Sequence, residues 1–288
     1  MDTAGAVTGG HAGYSGVCPF TVDKPVMRQR WERLTFLHWS YDPAVVQRLL
    51  PGGLTVDTFD GAAWVGLVPF FMRVHTPGDR GAPWVSNFCE TNVRTYAVDR
   101  EGRAGIWFLS LDAARLGAVA VARASYQLPY FWSSMRLTGP LNGSLAGPLN
   151  GHVPAGPAPA GLAADREIAY SCQRRLPGLR TATSQVRVRA GAPYQPAELG
   201  DRDHFLTARW VLFSVLAGRQ FFARAEHQPW PLHRADALTV DDSLITAAGL
   251  PVPSGEPLVH YSPGVNVRIG RPERYREPAG APVTPGPA

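Results

Sequence analysis

The sequence predicts an α+β protein built on a mainly antiparallel β-sheet, and three observations carry that expectation. Short runs rich in β-branched and aromatic residues recur along the chain, Gly, Pro and Asp-Gly signals separate them, and helical periodicity is confined to a few segments. A sheet of this many strands is expected to curl or close on itself with a few peripheral helices, because open edges leave backbone donors and acceptors unpaired.

Taken in order, residues 1–25 are small, polar and aperiodic and are expected to form a disordered arm. Residues 31–39 read as a strand. Asp42 then caps a short helix through Leu50: its carboxylate can accept from first-turn amides, Pro43 suits the first turn, and Pro51-Gly52-Gly53 stops it. Asp60-Gly61 marks a hairpin turn before a strand over 62–72, and further strands are expected at 88–98 and 106–111. A second helix is expected after Asp112, where Ala113, Leu116, Val119, Ala120 and Arg123 fall near one face and Pro129 blocks extension. Residues 139–161 hold GPLNG twice and then HVPAGPAPAG, a low-complexity insertion suited to a surface loop. In the strand over 182–189, Val186 and Val188 alternate with Arg187 and Arg189, as on a half-exposed face. Helices over 203–216 and 235–248 and a strand over 259–269 complete a single domain spanning 26–275. Residues 276–288 read as a disordered proline-alanine tail.

Composition narrows the function classes. With 288 residues, 45% of them apolar, the chain can bury a large core without disulfide or metal staples. The net charge of +5 is almost all arginine, since Lys24 is the only lysine. No basic helix or aromatic-basic ribbon accompanies that charge, so a nucleic acid is not expected as partner. Cys18, Cys89 and Cys172 are odd in number and lack metal-ligand spacing, which speaks against a disulfide framework or a zinc site and for a reducing cytoplasm. The apolar stretches Ala62–Phe71 and Trp210–Gly218 reach only about half a membrane span, so no membrane is expected. No glycine-rich phosphate loop is present, the histidine spacings match no metal signature, and neither cofactor nor metal is expected.

Seven stretches resemble the YqjF-like family of uncharacterised bacterial proteins, a domain of unknown function. They are HWSYDPAVVQRLLPGGLTVDTFDGAAWVGLVPFFM (38–72), FCETNVRTYAV (88–98), GIWFLSLDA (105–113), ARASYQLPYF (122–131), HFLTARW (204–210), HQPWPL (227–232) and HYSPGVNVRI (260–269). That family in turn is similar to acetoacetate decarboxylase. The resemblance implies an acetoacetate decarboxylase-like closed or partly closed β-barrel around a small pocket, often in proteins that assemble as homo-oligomers. The decarboxylase reads approximately Arg-Glu-x-x-Gly-x-Pro-Lys at its active site. The same arginine-to-proline spacing here runs from Arg123 through Ala124 to Pro129 and Tyr130, with alanine for the glutamate and tyrosine for the catalytic lysine. A phenol cannot form an imine with a ketone, so the resemblance does not extend to Schiff-base decarboxylation.

Strand alternation over 88–98 places Phe88, Glu90, Asn92, Arg94 and Tyr96 on one face. Lining a pocket, Arg94 would offer a fork to a carboxylate, and Glu90, near a carboxylate that the decarboxylase also carries, could move a proton. Alternatively, Glu90 and Arg94 pair with each other on a solvated face. Tyr130 could donate to a ligand carbonyl, with Tyr126 one helical turn before it, or both could be packing aromatics. Arg123 carries the matched spacing and also suits a helix C-terminus. His38 beside an apolar strand reads as a pocket residue or a hydrogen-bonded core histidine. The expected site is therefore Glu90 and Tyr130 as acid-base groups, with Arg94, Arg123, Tyr126 and His38 binding a small organic acid or carbonyl compound. A lyase, dehydratase or isomerase fits that set, and so does a non-catalytic ligand-binding module.

Overall fold

Alternate residues of the longest strands meet two different cores, so both faces of the sheet's middle are buried. In β1 (Met27–Tyr41), Leu37 and Trp39 join one cluster while Leu34 and Phe36 join another. In β4 (Ala62–His75), Val65 and Leu67 join the first, Val68 and Phe70 the second. Burial on both sides explains why 62–71 is continuously apolar rather than alternating.

The computed structural model describes residues 14–75, 87–115, 129–139, 167–175, 181–216 and 218–275. Helix α1 (Pro43–Gln47) follows β1, and the Asp42 carboxylate accepts from the Ala44 amide at 2.8 Å. After β2 (Leu54–Val56) and β3 (Thr58–Phe59), Asp60 and Gly61 take φ values of 52° and 75°, the left-handed pair that a two-residue hairpin turn requires. There follow β5 (Asn87–Asp99), β6 (Ala104–Ala113), β7 (Tyr130–Thr138), β8 (Glu167–Arg174) and β9 (Thr183–Pro193). Helix α2 (Asp201–Thr207) precedes β10 (Val211–Leu216), β11 (Arg219–His227) and β12 (His233–Asp242). Helix α3 (Leu244–Ala247), β13 (Leu258–Ile269) and β14 (Glu273–Arg274) end the described chain.

These strands form one mixed sheet in which β6 pairs parallel with β7 and with β10, and the other ladders are antiparallel. The pairing β5–β6–β7–β8–β9–β12–β13–β1–β4 returns to β5, giving a closed circuit. On β9, Val186 and Val188 are buried and Arg187 and Arg189 reach Glu167 on β8, as alternation predicts.

Several expectations are corrected. The helix expected over 203–216 stops at Thr207, because Val211–Leu216 pair with β11 and extend the sheet. The helix expected over 235–248 is largely β12, whose alanines alternate against β9, and only 244–247 are helical. Ala113, expected in a helix, ends β6, and the rest of that segment lies outside the described residues, as does nearly all of the 139–161 insertion. The arm expected to be disordered through residue 25 is packed from Tyr14 onward: Tyr14 meets Phe205 edge-on at 5.2 Å, and Val22 is buried with its amide 2.5 Å from Glu226. An aromatic and a valine among small residues supply the anchoring that composition concealed.

Candidate functional site

One face of β5 carries the polar groups, and its neighbours close over them. Glu90, Asn92 and Arg94 are 3%, 5% and 5% exposed, which excludes the solvated-face alternative. Glu90 and Arg94 make no ion pair with each other among the described residues. Glu90 instead accepts from the Tyr130 hydroxyl, Oη to Oε2, at 3.0 Å. That contact exists because β7 runs parallel to β6 and brings Tyr130 opposite Leu111, while β6 pairs Leu111 with Asn92 and Ala113 with Glu90. Tyr130 therefore opens the strand β7.

Burial pushes the Glu90 carboxyl up from 4.5 to about 8; the Asp112 charge adds to the rise, and hydrogen bonds to Tyr130 and Asn92 oppose it. Burial, reinforced by Glu90, raises the Tyr130 phenol well above its ordinary value. At neutral pH the pair thus holds its protons, and Glu90 is an acid within a hydrogen bond of a phenol.

Arg94 sits on the same face, two turns of the strand's alternation away. Its Nη2 donates to Leu206 O at 3.2 Å and to Tyr96 Oη at 3.4 Å, its guanidinium lies 5.3 Å from the Phe36 ring, and Nε has no partner among the described residues. The carbonyl of Leu206 belongs to α2, so this helix roofs the arginine. His38 reaches the same group across β4: the register sets His38 beside Gly66 and Gly66 beside Arg94. A β-carbon on Gly66 would come within 2.9 Å of His38 Nε2 and 3.5 Å of Arg94 Cγ, so only glycine leaves the two side chains this lateral room. His38 Nε2 lies 2.7 Å from Tyr96 Oη, and burial, with the Arg94 and His260 charges, holds the imidazole well below its ordinary pKa.

Of the residues singled out from the sequence, Glu90, Arg94 and His38 lie buried on one face, and the partly buried Tyr130 meets Glu90 there. Arg123 and Tyr126 lie outside the described residues. Alternation named Asn92 and Tyr96 without giving them roles. His260 on β13 and Asp203 on α2 were missed, and their 3.0 Å contact spans 57 positions, a separation that local patterns do not register. Lys24, the chain's only lysine, is exposed. Two cavities of about 270 and 410 Å³ open beside Trp107, Pro129 and Val215 and beside Met135, Ser171 and Gln185. Neither is lined by Glu90, Arg94 or Tyr130. Among the described residues no helix is long and apolar enough to cross a membrane.

The DUF2071 family, described as an uncharacterized conserved protein, matches residues 28–266. The uncharacterized protein YqjF of Bacillus subtilis (strain 168) is 30% identical over 244 residues, covering 82% of this chain and 87% of YqjF. Among solved structures, the enduracididine biosynthesis enzyme MppR complexed with pyruvate superposes with a TM-score of 0.57 at 16% identity, covering 87% of this chain and 91% of MppR. An acetoacetate decarboxylase-like enzyme from Sphingomonas wittichii RW1 gives 0.55 at 14% identity, over 90% and 96% of the two chains. Acetoacetate decarboxylase from Legionella pneumophila gives 0.56 at 10% identity, over 90% and 92%. At such identities the likeness concerns the fold, which is acetoacetate decarboxylase-like.

Proposed function

The chain belongs to the DUF2071 family of uncharacterized conserved proteins, and for it we propose a site that takes a small oxo acid or related carbonyl compound and works by acid-base chemistry without an imine. We read the closed circuit of strands as the wall of a β-barrel in a single domain, and three unpaired cysteines fit a cytoplasmic protein.

The observation that carries this reading is the hydrogen bond from the partly buried Tyr130 to the buried Glu90. A carboxyl that keeps its proton at neutral pH can give it to a carbonyl oxygen as negative charge develops there, and the phenol can hold that oxygen in place. Arg94, with an unpaired donor, would bind the ligand carboxylate. This set suits a lyase, dehydratase or isomerase acting next to a carbonyl. Support for the ligand class comes from MppR, a fold neighbour complexed with pyruvate. Tyr130 stands where the decarboxylase resemblance would have a lysine, and Lys24 is exposed, so an imine route lacks its amine. A non-catalytic binding module is the second reading, favoured by the commitment of Arg94 Nη2 to Tyr96 and Leu206.

The test is a thermal-shift series with pyruvate, acetoacetate and lactate on the unmodified chain, Glu90→Gln and Arg94→Met. Ligand stabilisation weakened in both variants supports the site, and stabilisation unaltered in both places the ligand elsewhere. Product formation lost in Glu90→Gln selects the enzyme, binding without conversion the module. Borohydride trapping of acetoacetate on Lys24, read by mass, would overturn the imine-free chemistry.

A further inference from the structure

Beyond the acid pair and Arg94, the same face holds two histidines whose Nε2 protons the hydrogen-bond geometry fixes. Tyr96 has one hydroxyl proton, and it goes to Leu206 O. The Tyr96 oxygen is therefore an acceptor, and His38 Nε2, 2.7 Å away, must be the donor. In the neutral imidazole that leaves Nδ1 as a bare lone pair, and this atom is buried with no partner among the described residues.

His260 repeats the arrangement from the neighbouring strand. It is 4% exposed, and its Nε2 lies 3.0 Å from Asp203 Oδ1. Burial opposes ionisation of Asp203, but hydrogen bonds from His260 and the Gly200 amide outweigh it and hold the carboxyl below its usual range. An ionised carboxylate only accepts, so Nε2 carries a His260 proton, and Nδ1 is buried and unpartnered among the described residues. Register places His260 opposite Phe36, two residues from His38, so both imidazoles project from the face that carries Arg94.

Resting on the site reading above, we propose that His38 and His260, each as a neutral imidazole protonated at Nε2, form an acceptor end to that site and that its ligand is a small oxo acid bearing a hydroxyl group. The two ends then divide the work. Glu90, Tyr130 and Arg94 supply donors for a carbonyl and a carboxylate, while two imidazole lone pairs need a donor from the ligand. The Arg94 cation disfavours an ammonium group beside these rings, whose own protons are already committed, so the donor is a neutral hydroxyl. Buried acceptors left unpaired weaken binding of an analogue that lacks the donor, by about tenfold or more.

Calorimetric titration compares hydroxypyruvate with pyruvate, and 4-hydroxy-2-oxobutanoate with 2-oxobutanoate, on the full chain. At least one hydroxylated acid is expected to bind about tenfold or more tighter than its deoxy partner, with the advantage falling below about twofold in His260→Leu. Long-range 1H–15N spectra of the unmodified protein, labelled at histidine, check the premise independently: His38 and His260 should both be Nε2-protonated tautomers. Equal affinities within both pairs, or an Nδ1-protonated ring, overturn the acceptor end while leaving the oxo-acid reading standing. Failure of all four acids to bind removes both.

Discussion

Stability should fall as pH rises from about 5 to about 8, with Glu90 responsible. Its carboxyl titrates at about 8 in the folded chain against an ordinary 4.5. Between these values the native state holds a proton that the unfolded state has released, so linkage lowers the unfolding free energy by about 1.4 kcal/mol per pH unit. Over the whole window the loss approaches about 5 kcal/mol, and it levels off once both states are ionised. Glu90→Gln removes this titration while keeping a similar shape. Urea unfolding at pH 5.5, 6.5, 7.5 and 9 should therefore show the unmodified protein losing about 2.5–3 kcal/mol relative to the variant between pH 5.5 and 7.5. Little further difference is expected above pH 8.5. Taking the difference between the two proteins cancels the other titrating groups. A stability difference that stays flat across that range would mean Glu90 is ionised when folded, and the proton-donor role would fall with it.

Two further expectations concern the groups around the site. Gly66→Ala brings a β-carbon within 3.0 Å of the His38 ring and should destabilise by about 1–3 kcal/mol while displacing the His38 NMR signals; an undisturbed His38 would show that the lateral contact across β4 is looser than described. On the opposite face, Arg174 grips Asp112 through Nε and Nη2, both at 2.9 Å, with Ser133 adding a third hydrogen bond. Asp112→Ala should cost about 3–5 kcal/mol in urea unfolding, because it strands a buried guanidinium, whereas Asp112→Leu combined with Arg174→Met should recover much of that loss; equal losses in both would contradict the stranded-charge explanation.

Local chemistry wrote some of these features into the sequence, and long-range pairing wrote the others. The β-branched runs of β1, β4, β5 and β13 and the Asp60-Gly61 turn were legible because each is settled within a few residues. The 235–248 segment misled because alanine favours helices, whereas its conformation is decided by pairing with β9. Residues 203–216 join a helix to a strand whose partner β11 follows it in the chain, and periodicity blurred the junction. For the site, alternation on β5 correctly set Glu90 and Arg94 on one face but could not decide what covered it. Tyr130 meets Glu90 across 40 positions, and Arg174, which reads as one of several surface arginines, turns inward because Asp112 waits 62 positions earlier.

The circuit of strands also governs how this protein can meet copies of itself. Where the pairing path ends, among the described residues, it ends on β2 with three residues and β14 with two. Such stubs give an incoming chain too few free amides and carbonyls to extend the ladder. Templated growth of the kind that leads to fibrils is thereby starved at these two ends of the path.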